Sequence, residues 1–329
     1  MVVTLAIDLD LAESEDFRFH VLAIGRNHGH TLAVLTNPRC IVLLVLVAGG
    51  AALAQPNLEA PASPRLGGIK FIWIPTGSFQ MGSQAGSAEI ESRYGGEARF
   101  FGVEHPRHGV RLTRGFWLGS CPVLNEQFEI FVKATGYRTE AEREGWGLGY
   151  DGKIGHSNKV NGLAWQHPGH RIQARQPVVM VSWNDAQAYI RWLNGGGEEG
   201  YRLPTEAEWE CACRAGSASA YSFGDDASRL GEYAWFAQNA GYVTHPAGQK
   251  KPNPWGLYDM HGNVWEWCQD WMGDYPSGSV VDPKGPASGQ YRVLRGGSWH
   301  SPAVYCRSAN RRTYGPDSRN ISLGFRLAR

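Results

Sequence analysis

The segment from Arg295 to Arg307 reads RGGSWHSPAVYCR, a glycine turn followed by one cysteine among cations. His300, Arg307, Arg311 and Arg312 are close to Cys306 in sequence, and neighbouring cations lower a thiol pKa and favour the nucleophilic thiolate. His300 is the candidate base nearby. The plainer alternatives are a buried or disulfide-bonded Cys306, which would pack like a small hydrophobe, and an exposed loop histidine at 300. Sequence leaves both readings open. The motifs HPRH (His105, His108) and WQHPGH (His167, His170) could hold a metal, but each contains a proline that forbids ordinary helical i, i+3 presentation, so surface loops are predicted. No C-x-x-C pair exists, and Cys211 and Cys213 alternate across a helix, which argues against zinc. A P-loop with its lysine and following hydroxyl is absent from the sequence as well, so nucleotide chemistry has no anchor.

The elements that must position these residues come from a chain of 329 residues with 42% hydrophobic content, enough for a full core. Lys+Arg 32 against Asp+Glu 31 leaves no cationic excess for a phosphate backbone, so nucleic acid is not an expected partner. The 42 glycines and 13 tryptophans predict many turns, little regular structure and an aromatic core. GGIKFIWIPTGSFQMGS and GVRLTRGFWLGSCPV alternate like strands. Three helices are predicted from caps. One follows Asn125 as N-cap, carries Phe128, Phe131 and Val132, and stops at Gly136. The second opens on a Ser182 and Asp185 capping box, and the third on Thr205 and Glu208, ending at Gly216.

Residues 1–54 are predicted to be a leader. Cys40 to Pro56 is a short apolar run closing on Ala52-Leu53-Ala54, and Arg39 precedes it. The run is shorter than the roughly 20 residues that span a bilayer. A secreted or periplasmic protein with no membrane anchor after signal cleavage is therefore expected. The mixed stretch 1–34 makes this leader unusually long, which points to a misassigned start. Residues 55–66 read as a linker and 67–329 as one domain. Five cysteines then remain in an oxidising compartment, so at least one lacks an intramolecular partner.

GSFQMGS (77–83), RLPTEAEWE (202–210), NPWGLYDMHGNVWEW (253–267), RVLRGGSW (292–299) and LGFRLAR (323–329) occur in that order. Together they resemble the formylglycine-generating enzyme family, also called sulfatase-modifying factors, over nearly the whole of the domain. The resemblance implies an α+β domain related to the C-type lectin fold and often stabilised by calcium. Family oxidases use Cu+ and oxygen to convert a substrate cysteine to formylglycine in sulfatases bearing Cys-x-Pro-x-Arg.

Carried over by position, the two copper cysteines fall on Ser301 and Cys306, and Ser298 and Trp265 fall in the oxygen and substrate pocket. A serine hydroxyl is a hard, protonated substitute for a thiolate, so Cu+ loses half its expected ligand pair. A family calcium site falls on Asp259, Gly262, Val264 and Glu266, an oxygen set suited to Ca2+. The alternative there is that Asp259 caps its own turn while Glu266 pairs with an arginine of a later loop. A second calcium site is not legible, because Trp235 stands where an asparagine ligand is expected. Ile190 and Leu327 occupy the two halves of one family disulfide. Cys213 matches half of another whose partner is Arg311, leaving Cys268 with Cys306, or Cys213 with Cys306, as pairs to consider. The segment 135–149, through WQHPG, resembles the frame of a substrate groove.

Two functions follow from the resemblance. One is an exported maturation-type oxidase acting on a polypeptide substrate. The other is a non-catalytic, calcium-stabilised binding or interaction domain for an envelope protein partner. Relatives that add an iron-binding helical bundle are not expected, since about a dozen residues separate leader and domain.

Overall fold

The computed structural model describes residues 20–27, 30–37, 40–46, 64–151, 156–197 and 199–329. The chain divides into two units, Met1–Asn57 and Leu58–Arg329. In the first, His20–Asn27, His30–Asn37 and Cys40–Leu46 form a three-stranded antiparallel sheet. The expected cleavage site at Ala52-Leu53-Ala54 lies outside the described residues.

The second unit is α+β. Its principal sheet orders the strands Arg312–Tyr314, Arg292–Arg295, Trp265–Trp271 and Leu323–Phe325. The last pair is parallel and the others antiparallel. The helices Asn125–Thr135, Trp183–Asn194 and Glu206–Arg214 pack around it. As predicted, Ser182 Oγ accepts from the Asp185 amide and Thr205 Oγ1 from the Glu208 amide. Each box satisfies donors that a helix start leaves open.

Two boundaries differ from expectation. Asn125 is the first helical residue and not the N-cap: its side chain donates to Gln173 O, while Gln127 Oε1 accepts from the Leu124 amide. The third helix ends one residue early, with Ala215 itself in the left-handed region at φ 46 before Gly216. His108 also departs from the surface-loop reading. It begins the strand His108–Leu112, is buried, and its ring lies 4.7 Å from that of Tyr275.

Aromatic side chains fill the main core, as the tryptophan count implies. Phe128, Tyr189, Trp267, Trp299 and Phe325 share one buried cluster, which also holds Ile190 and Leu327. At these two positions, where the resemblance implies a disulfide in eukaryotic enzymes, apolar side chains pack in the core. Beneath it, Trp209, Leu118 and Val293 form a second cluster with Cys211, Cys213 and Cys268. Buried arginines join the layers: Arg295 reaches Glu206 and Glu210, and Arg311 holds Glu206 with contacts of 2.6 and 2.7 Å. At the position where the resemblance implies the partner of Cys213, Arg311 is held in a buried ion pair with Glu206.

Candidate active site and cation turn

Two loops carry most of the predicted site residues. The first follows the strand Arg292–Arg295. Gly296 and Gly297 both have positive φ, and a Cβ on Gly297 would lie 2.6 Å from Cys306 Sγ. Only glycine lets the turn close onto that sulfur. Ser298 is fully buried, and Ser301 is 4% exposed. Ser301 Oγ accepts from the Ser298 amide at 3.1 Å and lies 3.0 Å from Ser298 Oγ, which in turn lies 3.0 Å from His300 Nδ1. Three polar side chains are thereby tied into one short network.

Cys306 ends the short turn Ala303–Cys306 with no exposure and packs with Tyr221, Leu230, Ala234 and Phe236. Burial pushes its thiol far above the usual cysteine range; the Ser298 amide and the Arg307 charge oppose that only in part. His300 is no exposed loop residue either. Burial, with the Arg312 charge, pushes its imidazole down to about 4. The base is neutral and the thiol protonated, an arrangement that favours packing over nucleophilic chemistry in the resting protein.

Cys121, Cys211, Cys213, Cys268 and Cys306 are all free, so neither Cys268 nor Cys213 is bonded to Cys306. Cys213 instead sits 3.8 Å from His261 Nδ1 and 3.6 Å from Ser308 Oγ. His261 was not singled out by sequence. Its Nδ1 lies 2.9 Å from Cys306 O, and its Nε2 accepts from the Ser222 amide, so the ring bridges the two loops. The Cu+ donor set does not fit the family pattern: one member is a hydroxyl committed to Ser298, the other a buried, protonated thiol.

The second loop is Asp259 to Glu266. A Cβ on Gly262 would lie 2.3 Å from Trp235 O, which already accepts from the Asn263 amide at 2.7 Å. The glycine therefore allows a close backbone approach. Asp259 is buried with φ 58, and its Oδ2 accepts from the Gly248 amide at 2.9 Å. Burial raises its carboxyl to about 6. Glu266 is differently placed. Arg326 donates Nη2 to Oε1 at 2.7 Å and Nε to Oε2 at 2.9 Å, and Trp209 Nε1 donates to Oε2 at 2.7 Å. Asp259, a buried carboxylate short of positive charge, fits a calcium ligand; Glu266 is already balanced by Arg326. Among the described residues, no group of three His, Cys, Asp or Glu side chains is assembled for a metal.

Asn263 joins the two loops, a role sequence did not reveal. Its side chain accepts from the His245 amide, its Nδ2 donates to His245 O, and its carbonyl accepts from the Trp299 amide at 2.9 Å. The Gly-Asn pair inside HGNVWEW, with Asn263 at φ 66, was the available signal. Trp265 follows at the start of its strand, 6% exposed and in the same core cluster as Trp299. Trp235, at the illegible calcium position, stacks on His245 at 3.8 Å, with Lys250 4.0 Å from its ring.

Residues 58–329 match a family model described as the sulfatase-modifying factor enzyme 1-like domain. The chain is 37% identical over 314 residues to a formylglycine-generating enzyme of Streptomyces coelicolor, covering 84% of this chain and 94% of that protein. It is 31% identical over 299 residues to a Bos taurus protein named inactive C-alpha-formylglycine-generating enzyme 2, covering 79% of this chain and 88% of that one. The structure of PvdO from Pseudomonas aeruginosa superimposes with a TM-score of 0.63 at 29% identity, covering 79% and 94% of the two chains. The chain belongs to the sulfatase-modifying factor enzyme 1-like, or formylglycine-generating enzyme, domain family.

Proposed function

We propose that this protein is an exported sulfatase-maturation-type factor that engages a cysteine-bearing polypeptide at the Ser298 turn. The observation that carries the reading is the retention of Cys306 beneath Gly297 and Ser298, in a domain similar to a formylglycine-generating enzyme across most of both chains. Export is supported by the apolar run that closes on Ala52-Leu53-Ala54. Calcium would act as a structural ion at the Asp259 turn, where the buried carboxylate lacks a cation of its own.

A second reading, a non-catalytic calcium-stabilised binding domain of the envelope, is favoured by a specific feature. Ser301 stands in for one thiol, and its hydroxyl is spent on Ser298. Mass spectrometry separates the two. A Cys-x-Pro-x-Arg peptide is incubated with the purified protein, Cu+, oxygen and a thiol reductant, beside the variants Ser301→Cys and Cys306→Ala. Aldehyde formation by the unmodified protein, lost in Cys306→Ala, supports the maturation reading. Silence from both the unmodified protein and Ser301→Cys, with both folded, replaces it with the binding domain.

A further inference from the structure

Each of the buried arginines Arg295, Arg307, Arg311 and Arg326 holds a carboxylate. Arg292, 9% exposed, does not: among the described residues no carboxylate comes within ion-pair distance of it. Its guanidinium carbon lies 3.8 Å from the ring centre of Trp183 and 3.4 Å from that of Trp271, so an indole covers each face. Nη1 donates to Gln269 O at 2.6 Å, while Nε is buried without a partner. Nη2 is neither bonded to a described residue nor enclosed. Asp270 attracts the guanidinium from a distance, but its Oδ2 is committed to the Glu206 amide.

Cation–π contacts offset part of the cost of desolvating a guanidinium, and they leave its edge unsatisfied. Burial pushes Arg292 down to about 10, the direction expected of a cation missing its counter-ion. The edge reaches the surface beside the half-buried Trp183 and Trp271 and the exposed Tyr291. A planar carboxylate meeting that edge can accept from the open Nη2, in the in-plane geometry that guanidinium–carboxylate pairs favour.

We infer that the Trp183–Arg292–Trp271 sandwich is a carboxylate-binding site, whose ligand is a free carboxylate ion or the acidic side chain of a bound polypeptide. It is independent of oxidase chemistry, since Arg292 takes no part in the Cys306 turn.

The test is NMR of the full chain labelled with 15N-arginine, with the Nε–Hε signal of Arg292 assigned by its loss in Arg292→Met. Sodium acetate, N-acetyl-glutamate amide, phosphate and chloride are titrated at constant ionic strength. The expected result is a saturable shift with both carboxylates and none with chloride or phosphate. Binding of the glutamate derivative at least tenfold tighter than acetate points to a polypeptide side chain; equal binding points to the free ion. An unmoved signal, or equal movement with chloride or phosphate, overturns the inference. If Arg292→Met does not fold, Arg292→Lys keeps the charge but loses the fork, and carboxylate binding at least tenfold weaker is expected.

Discussion

Arg326 grips Glu266 with two hydrogen bonds of 2.7 and 2.9 Å, and both side chains have zero exposure. The pair ties the strand Trp265–Trp271 to the end of the chain, and Trp209 adds a third bond to the same carboxylate. Replacing one partner strands the other charge in the core. Arg326→Met or Glu266→Gln alone should therefore cost about 3–5 kcal/mol, measured by urea unfolding. The double variant should recover part of that loss. If it is no better than either single variant, the pair is not the unit that sets stability here.

Because Glu266 is already neutralised, Asp259 is the carboxylate that should respond to calcium. Its folded pKa, about 6, lies above the ordinary 3.8. A raised carboxyl contributes stability that is complete below the unfolded value and lost as pH rises through the folded one. Without calcium, that loss should amount to about 2 kcal/mol between pH 4 and 6. Calcium favours the ionised form, so it should raise Tm clearly at pH 7.5 and little at pH 5. Burial also raises the carboxyl of Asp270, to about 7, so the readout is the difference between the natural chain and Asp259→Asn, which keeps the other titrating groups, lacks this contribution and should be blind to calcium. A full calcium response in Asp259→Asn would move the ion elsewhere.

The parts legible in sequence were local ones. The Ser182 and Thr205 boxes span three residues, so type and spacing sufficed. The five ordered motifs likewise marked the domain now found at 58–329. What failed depended on distant neighbours. Asn125 looked like a cap because the acceptor of its side chain, Gln173 O, is 48 residues away. The cations around Cys306 suggested a reactive thiol, but Arg307 donates to Glu104 at 2.7 and 2.8 Å, 203 residues upstream, and Arg311 to Glu206. Cations that look free in the sequence are spent on carboxylates that only the fold brings near. For Glu266 the sequence offered a later arginine as a class of partner, and only the fold, which brings the two together across 60 residues, assigns it to Arg326.

Thiol accessibility follows from the same packing. Cys213, Cys268 and Cys306 are fully buried and Cys211 is 8% exposed, whereas Cys121 is partly exposed and lines a surface cavity of about 440 Å3. Burial pushes the Cys121 thiol up to about 11, so even this site should react slowly. Iodoacetamide at pH 8, followed by peptide mass mapping, should label Cys121 first and leave Cys306 unmodified until denaturant is added. Rapid native labelling of Cys306 would show that its turn opens, and would restore the reactive-thiol reading.

His261 makes the link between the two loops sensitive to acid. Burial holds its imidazole at about 4, below the ordinary 6.5, and the neutral ring is the form that accepts from the Ser222 amide. A histidine with a depressed pKa contributes stability that is complete above the unfolded value and lost as pH falls toward the folded one. From pH 7 to pH 5 the loss should be about 2 kcal/mol. His300 is depressed to about 4 as well and adds to the total, while Asp259 and Asp270 change in the opposite sense. The measurement is accordingly a comparison of urea midpoints at pH 7 and 5 for the natural chain and His261→Gln. The variant should be less stable at pH 7, because it cannot reproduce both ring contacts, yet lose about 2 kcal/mol less on acidification. Equal acid losses in the two chains would mean that folding does not depress the His261 pKa, and that this ring is not the acid-sensitive part of the link between the loops.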